Sequence, residues 1–131
     1  MLPKVSARVF WADDNPGDRG LIQLVLHELG LQDQVRLFKD GASLLEAARS
    51  DRPDFVVLDL RKPKLDGIET LARLRRMEGN LFLPAVFYSS WPSDRKRVAQ
   101  FAVAEYVPKP LDLEDVRRSI ARILGVAWDY R

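Results

Sequence analysis

Six positions carry side chains able to do chemistry together: the pair Asp13-Asp14, then Asp59, then the pair Ser89-Ser90, then Lys109. Three carboxylates brought to one crevice repel one another unless a hard cation sits among them. Magnesium suits such a place, since it takes one or two carboxylates, a carbonyl oxygen and several waters. With no cysteine and a single histidine, His27, the chain has no thiolate or multi-histidine centre to offer, so any metal here is held by oxygen.

A carboxylate is also a nucleophile toward phosphorus. That reaction asks for in-line positioning and positive charge on the equatorial phosphoryl oxygens rather than elaborate acid-base groups. Magnesium and Lys109 would provide the charge, Asp59 the attacking oxygen, and the Ser89 hydroxyl a hydrogen bond to the transferred group, which would make it a detector of the modified state.

Such residues meet only if the chain brings them together, and the hydrophobic pattern says how. Short apolar runs read as strands: Arg8 to Ala12, Gln34 to Phe38, Asp54 to Leu58, Ala85 to Tyr88 and Glu105 to Val107. Between them lie helical patterns. The first is capped by Asn15, carries Pro16 in its first turn and stops at Gly30. Others are expected over Ala42 to Arg49, Gly67 to Met77 and Arg95 to Ala102, and a last one, capped by Asp112, presents Leu113, Val116, Ile120, Ile123 and Leu124 on one face. Strict alternation of five strands with five helices predicts an α/β fold, a doubly wound parallel sheet with helices on both faces. In that architecture ligands bind beyond the carboxyl ends of the strands, where the chemically interesting residues fall.

Each residue alone has a plainer explanation. Asp13 and Asn15 suit a turn or helix cap, Ser89 and Ser90 a loop, Lys109-Pro110 a turn before the last helix, and Asp66-Gly67 a loop-to-helix junction. Tyr106 reads as a half-buried strand aromatic. The basic clusters Arg73-Leu74-Arg75-Arg76 and Arg95-Lys96-Arg97 read as solvated helix faces, so no direct nucleic-acid binding is expected.

Taken together, the acidic pair, the Val56-Val57-Leu58-Asp59-Leu60 segment, Pro63, Asp66-Gly67, Ser89 and Lys109-Pro110 resemble the receiver domains of bacterial two-component systems, the CheY-like response regulators. The resemblance runs from about Arg8 to Leu124 and implies a flavodoxin-like sheet of order 2-1-3-4-5. It implies that Asp13, Asp14 and Asp59 bind Mg2+ together with the backbone carbonyl of Arg61, and that a sensor histidine kinase phosphorylates Asp59. Lys109 would bind the phosphoryl group, and Ser89 and Tyr106 would be the paired switch residues. The Asp14-Asn15-Pro16-Gly17-Asp18 opening, with Trp128 and Tyr130 after the last helix, is further similar to stand-alone receivers that partner bacteriophytochromes. Arg61 departs from the usual pattern, and a long cation there is expected to alter the lifetime of the phosphate.

The 131 residues, 47% hydrophobic and with a formal charge of +2, suit one domain: a receiver core of about 8–124 followed by a tail of 125–131. No apolar run approaches the roughly 20 residues a membrane-spanning helix needs, so a cytoplasmic location and no membrane partner are expected. With no output domain after Leu124, the output is expected to be binding to a downstream protein, relay to a histidine phosphotransfer protein, or a homodimer. A magnesium-dependent aspartyl phosphatase is the enzymatic rival, but it needs a second aspartate where Arg61 stands, so the chain does not read as an enzyme. A degenerate receiver, acting as a phosphorylation-independent interaction module, is the other rival; the occupied acidic and lysine positions argue against it.

Overall fold

The computed structural model describes residues 8–60, 66–90 and 95–129, with the side chains of 126–129 left aside. Its elements alternate along the chain as β1 (Val9–Ala12), α1 (Pro16–Leu29), β2 (Val35–Phe38), α2 (Gly41–Ala48), β3 (Phe55–Leu58), α3 (Gly67–Arg76), β4 (Ala85–Ser89), α4 (Arg95–Val98), β5 (Ala104–Pro108) and α5 (Leu113–Asp129). The strands form one parallel sheet of order β2-β1-β3-β4-β5. The order reverses between β1 and β3, whose registers run Val9 beside Phe55 to Ala12 beside Leu58. The two strands therefore end level, and the residues that follow them, Asp13 and Asp59, emerge at the switch point.

Alternation along the buried strands divides the core in two. Val9, Trp11, Phe55, Val57, Val86 and Tyr88 face Ile22, Val25 and Leu26 of α1 and Val116, Ile120, Ile123 and Leu124 of α5. Phe10, Ala12, Val56, Leu58, Ala85 and Phe87 face Leu44 of α2, Leu71 and Leu74 of α3 and Val98 of α4. Successive side chains of a strand point to opposite faces, so a run apolar at every position belongs in a sheet covered on both sides. Truncating one of these fully buried leucines or isoleucines to alanine would cost about 2–5 kcal/mol.

The helix starts follow their caps. Asn15 Oδ1 accepts from the Asp18 N–H, Asp40 from Ser43, Asp66 from Glu69 and Asp112 from Asp115, at 2.8–3.0 Å. Gly30 ends α1 with φ 71, the left-handed conformation that a side chain resists.

Two expectations need correction. The helix predicted over Arg95 to Ala102 ends at Val98, and the chain turns through Val103 at φ 54 before entering β5. Its four residues include three adjacent cations and only one buried side chain, Val98, which gives little reason to propagate a helix. At the other end, residues 125–129 are not a tail beyond the last helix, because α5 runs on through Asp129 and contains Trp128. Gly125 costs helix stability but breaks no hydrogen bond, and no proline follows it to impose a stop. Tyr130, Pro63, Arg61 and Trp91 lie outside the described residues. No described helix is long and apolar enough to cross a membrane.

Candidate functional site

Residues from four strand ends meet at the carboxyl edge of the sheet. The Lys109 ammonium stands at their centre, 2.8 Å from Oδ2 of Asp13, of Asp18 and of Asp59. It donates hydrogen bonds to Asp18 and Asp59, whereas its approach to Asp13 is an ion contact without hydrogen-bond geometry. Its own position is set from the backbone, since the Lys109 N–H donates to the Ser89 carbonyl at 2.8 Å. Burial alone would lower the Lys109 pKa, but the facing carboxylates outweigh it and hold the ammonium protonated well above the ordinary lysine value.

Asp13 does two things with two oxygens. Oδ1 accepts from the Asn15 N–H at 3.0 Å, which shapes the turn into α1. Oδ2 is buried and makes no hydrogen bond. Oδ1 thus meets the turn reading of this residue, while Oδ2 faces the Lys109 ammonium within the acidic cluster. Burial pushes its carboxyl above the usual aspartate value, against the pull of Lys109 and the Asn15 N–H, with the neighbouring Asp59 charge adding to the rise. The turn is pinned further by Arg19, which donates to the Asp13 carbonyl at 2.9 Å.

Asp13, Asp14 and Asp59 each offer an oxygen within 4.8 Å of the others, Asp14 exposed and the other two buried. Three hard oxygens so close together, with the Lys109 ammonium at Asp13 Oδ2 only partly offsetting the burial of that carboxylate, are a donor set that fits magnesium, and a cation there would relieve the remaining penalty on Asp13. The Arg61 carbonyl expected to join them lies outside the described residues.

Asp59 is held from below by Gly67. The Gly67 N–H donates to the Leu60 carbonyl at 3.0 Å, and a Cβ at Gly67 would sit 2.4 Å from the Asp59 carbonyl oxygen. The Asp66-Gly67 junction thus has the structural role expected of it, and it also packs against the backbone of Asp59 and Leu60.

Ser89 is fully buried at the end of β4. Its carbonyl also accepts from the Tyr106 hydroxyl at 3.3 Å, so Tyr106 is turned inward and buried rather than half-buried. Arg95 of α4 lies over the Tyr106 ring, 4.9 Å from its centroid.

Sequence reasoning missed Asp18, which looks like an ordinary acidic residue in the first turn of a helix. It also misassigned Arg75. That side chain is not part of a solvated face: it donates to the carbonyls of Leu83 and Ala102 at 2.8 and 2.6 Å, joining α3 to the turn before β5. Arg95, Lys96 and Arg97 are exposed as expected, with Arg97 paired to Asp66 at 3.1 Å.

Comparison with known proteins fits this geometry. The family model of the response regulator receiver domain matches residues 9–121. The chain is 31% identical over 123 residues to the probable methanogenesis regulatory protein FilR2 of Methanothrix harundinacea, covering 88% of this chain and 79% of that one. It spans about half the length of other curated relatives that it matches, response regulators and a transcriptional regulator of mycobacteria. Among solved structures, the phosphorylated cyanobacterial phytochrome response regulator RcpA is similar at 28% identity and a TM-score of 0.76, covering 89% of this chain and 90% of that one. The receiver domain of the sensor histidine kinase PA1611 from Pseudomonas aeruginosa, solved with magnesium in its active-site cleft, is similar at 26% identity and a TM-score of 0.70, covering 92% and 99%.

Proposed function

Because the chain belongs to the response regulator receiver domain family, whose members are signalling modules, we propose that it accepts a phosphoryl group on Asp59 from a partner histidine kinase in a magnesium-dependent reaction. The observation that carries this reading is the Lys109 ammonium bonded to Asp59 Oδ2 beside a three-carboxylate oxygen cluster.

The Asp59 carboxylate attacks phosphorus from the side opposite the leaving group. A phosphorus–oxygen bond forms as the bond to the kinase histidine nitrogen breaks, and the electron pair leaves with that nitrogen. Lys109 transfers one of its hydrogen bonds to a phosphoryl oxygen and so balances charge where it develops. Bound magnesium, held by Asp13, Asp14, Asp59 and the Arg61 carbonyl, would supply further positive charge on the phosphoryl oxygens. The new group brings about two negative charges. The Ser89 hydroxyl then donates to it, and Ser89 and Tyr106, coupled through the Ser89 carbonyl, change the packing of α4, β5 and α5 that a downstream protein reads. The magnesium of the PA1611 receiver and the phosphorylated state of RcpA support this reading by analogy. The RcpA likeness also favours a phytochrome-type kinase as the partner, and a cytoplasmic location accords with such a partner.

Intact mass after incubation with magnesium and acetyl phosphate tests the proposal. A labile phosphate adduct is expected on the native chain and not on Asp59→Asn. No adduct on either, with no magnesium binding, would favour a phosphorylation-independent interaction module instead.

A further inference from the structure

We infer that Asp18 is a positioning residue for phosphoryl transfer, tethering the Lys109 ammonium at the site with a carboxylate that stands apart from the cation-binding group. The inference rests on the receiver reading and adds to it a residue from α1.

Lys109 reaches the site on a flexible four-carbon stem, as a point charge with three rotatable donors and no preferred direction of its own. Three carboxylates surround it, and they are not equivalent. Asp13 and Asp59 belong to the oxygen cluster suited to a divalent cation, so a bound cation draws on the same negative charge that attracts the lysine. Asp18 lies outside that cluster and still accepts from Nζ at 2.8 Å. It is the partner on which the ammonium can keep its hold when Asp13 and Asp59 are engaged by metal and phosphorus.

The first turn of α1 is built to place it. Asn15 Oδ1 takes the Asp18 N–H at 3.0 Å, and Pro16 fixes the backbone just before, so the start of the helix is rigid. The next residue, Arg19, bonds the Asp13 carbonyl and ties the same turn to β1. Tyr88 closes the lysine from another side, its ring centroid 5.9 Å from Nζ. During transfer Lys109 exchanges its bond to Asp59 for one to a phosphoryl oxygen while the bond to Asp18 persists, so the ammonium pivots over a short distance instead of searching for its target.

The test compares Asp18→Ala and Asp18→Asn, each in the native and the Lys109→Ala background. Labelling rates are measured with acetyl phosphate at saturating magnesium by intact mass, and magnesium affinity by titration calorimetry. With Lys109 present, Asp18→Ala should label roughly tenfold more slowly, the scale of loss that modest misplacement of a catalytic group brings. Asp18→Asn, which keeps an accepting oxygen, should retain most of the rate, and magnesium affinity should move by less than about threefold in both variants. Without Lys109, Asp18→Ala should change nothing further. An equal slowing in the Lys109→Ala background, a native-like rate for Asp18→Ala, or a magnesium defect as large as the rate defect would each overturn the tether. A native protein that takes no label at all would overturn the receiver reading and the tether with it, whereas a labelled native protein beside an unaffected Asp18→Ala overturns the tether alone.

Discussion

Gly67 and the Asp59 carbonyl approach so closely that a methyl group on Gly67 would stand 2.4 Å from the Asp59 oxygen and 3.2 Å from the Leu60 Cα. The obstacles are backbone atoms, which cannot rotate aside as a flexible side chain can. Gly67→Ala is therefore expected to lower stability by about 1–3 kcal/mol in urea denaturation, even though alanine is the better helix former. It should also weaken magnesium binding, because Asp59 must shift with its carbonyl. An unchanged urea midpoint would mean that the Asp59-Leu60 backbone yields at little cost.

Asp13 separates what favours function from what favours the fold. In an unfolded chain its carboxyl titrates near the ordinary value of 3.8, and burial raises it in the folded protein. Between the two values the folded state binds more protons than the unfolded state, so stability falls as pH rises, and above the folded value the whole cost persists. In the presence of a chelator, Asp13→Asn should melt at a higher temperature than the native chain at pH 7, with the gap closing as pH drops below 3.8. Excess magnesium should reverse the order, since binding stabilises only the chain with its ligands intact. Native-first melting in chelator at neutral pH would agree; variant-first melting would show that the loss of the Lys109 contact outweighs the relief.

Arg75 closes the corner between α3 and β5. Besides its two short bonds it lies 3.4 Å from the Val103 carbonyl, and its guanidinium sits 6.0 Å from the Phe101 ring centroid. Val103 is a β-branched residue at φ 54, a conformation that neighbouring contacts must hold in place. Removing these bonds with Arg75→Met should cost about 1.5–3 kcal/mol, as for hydrogen bonds from a charged group, and should lower amide protection across Ala85 and the start of β5. Arg75→Lys should recover only part of it, because its shorter stem does not carry the ammonium to the point where Arg75 Nη2 meets both carbonyls.

Much of this is legible in the sequence. The strands show because burial on both sheet faces leaves uninterrupted apolar runs such as Phe55 to Leu58, and the helix starts because Asn15 and Asp112 are capping residues and Asp66-Gly67 a loop-to-helix junction in front of periodic segments. Their alternation places Asp13, Asp59, Ser89 and Lys109 at one edge, which is a consequence of topology alone. Contacts between residues far apart in sequence were not legible. Asp18 and Lys109 are 91 positions apart, and nothing local distinguishes Asp18 from a helix-dipole acid. Arg75 sits in a basic run whose other members are solvated, so its depth depends on the path of Ala102 and Val103. The end of α4 at Val98, short of Ala102, is not legible either, since it follows from how the chain turns at Val103.

Asp66 allows two small energies to be told apart. One oxygen caps α3 by accepting from Glu69 N–H at 2.9 Å, and the other pairs with Arg97 at 3.1 Å across to α4. The ion pair is partly exposed, with side chains 44% and 33% accessible, and pairs of that kind contribute about 0–1 kcal/mol. A lost cap costs about 1 kcal/mol. Asp66→Asn keeps a capping oxygen and discards the charge, so it should match Arg97→Ala, each within about 0.5 kcal/mol of the native protein and converging with it in high salt. Asp66→Ala discards both and should fall about 1 kcal/mol below Asp66→Asn at any ionic strength. If Asp66→Asn were instead as destabilised as Asp66→Ala at low salt and recovered at high salt, the link from the start of α3 to α4 would be electrostatic, and the cap the lesser of the two contributions.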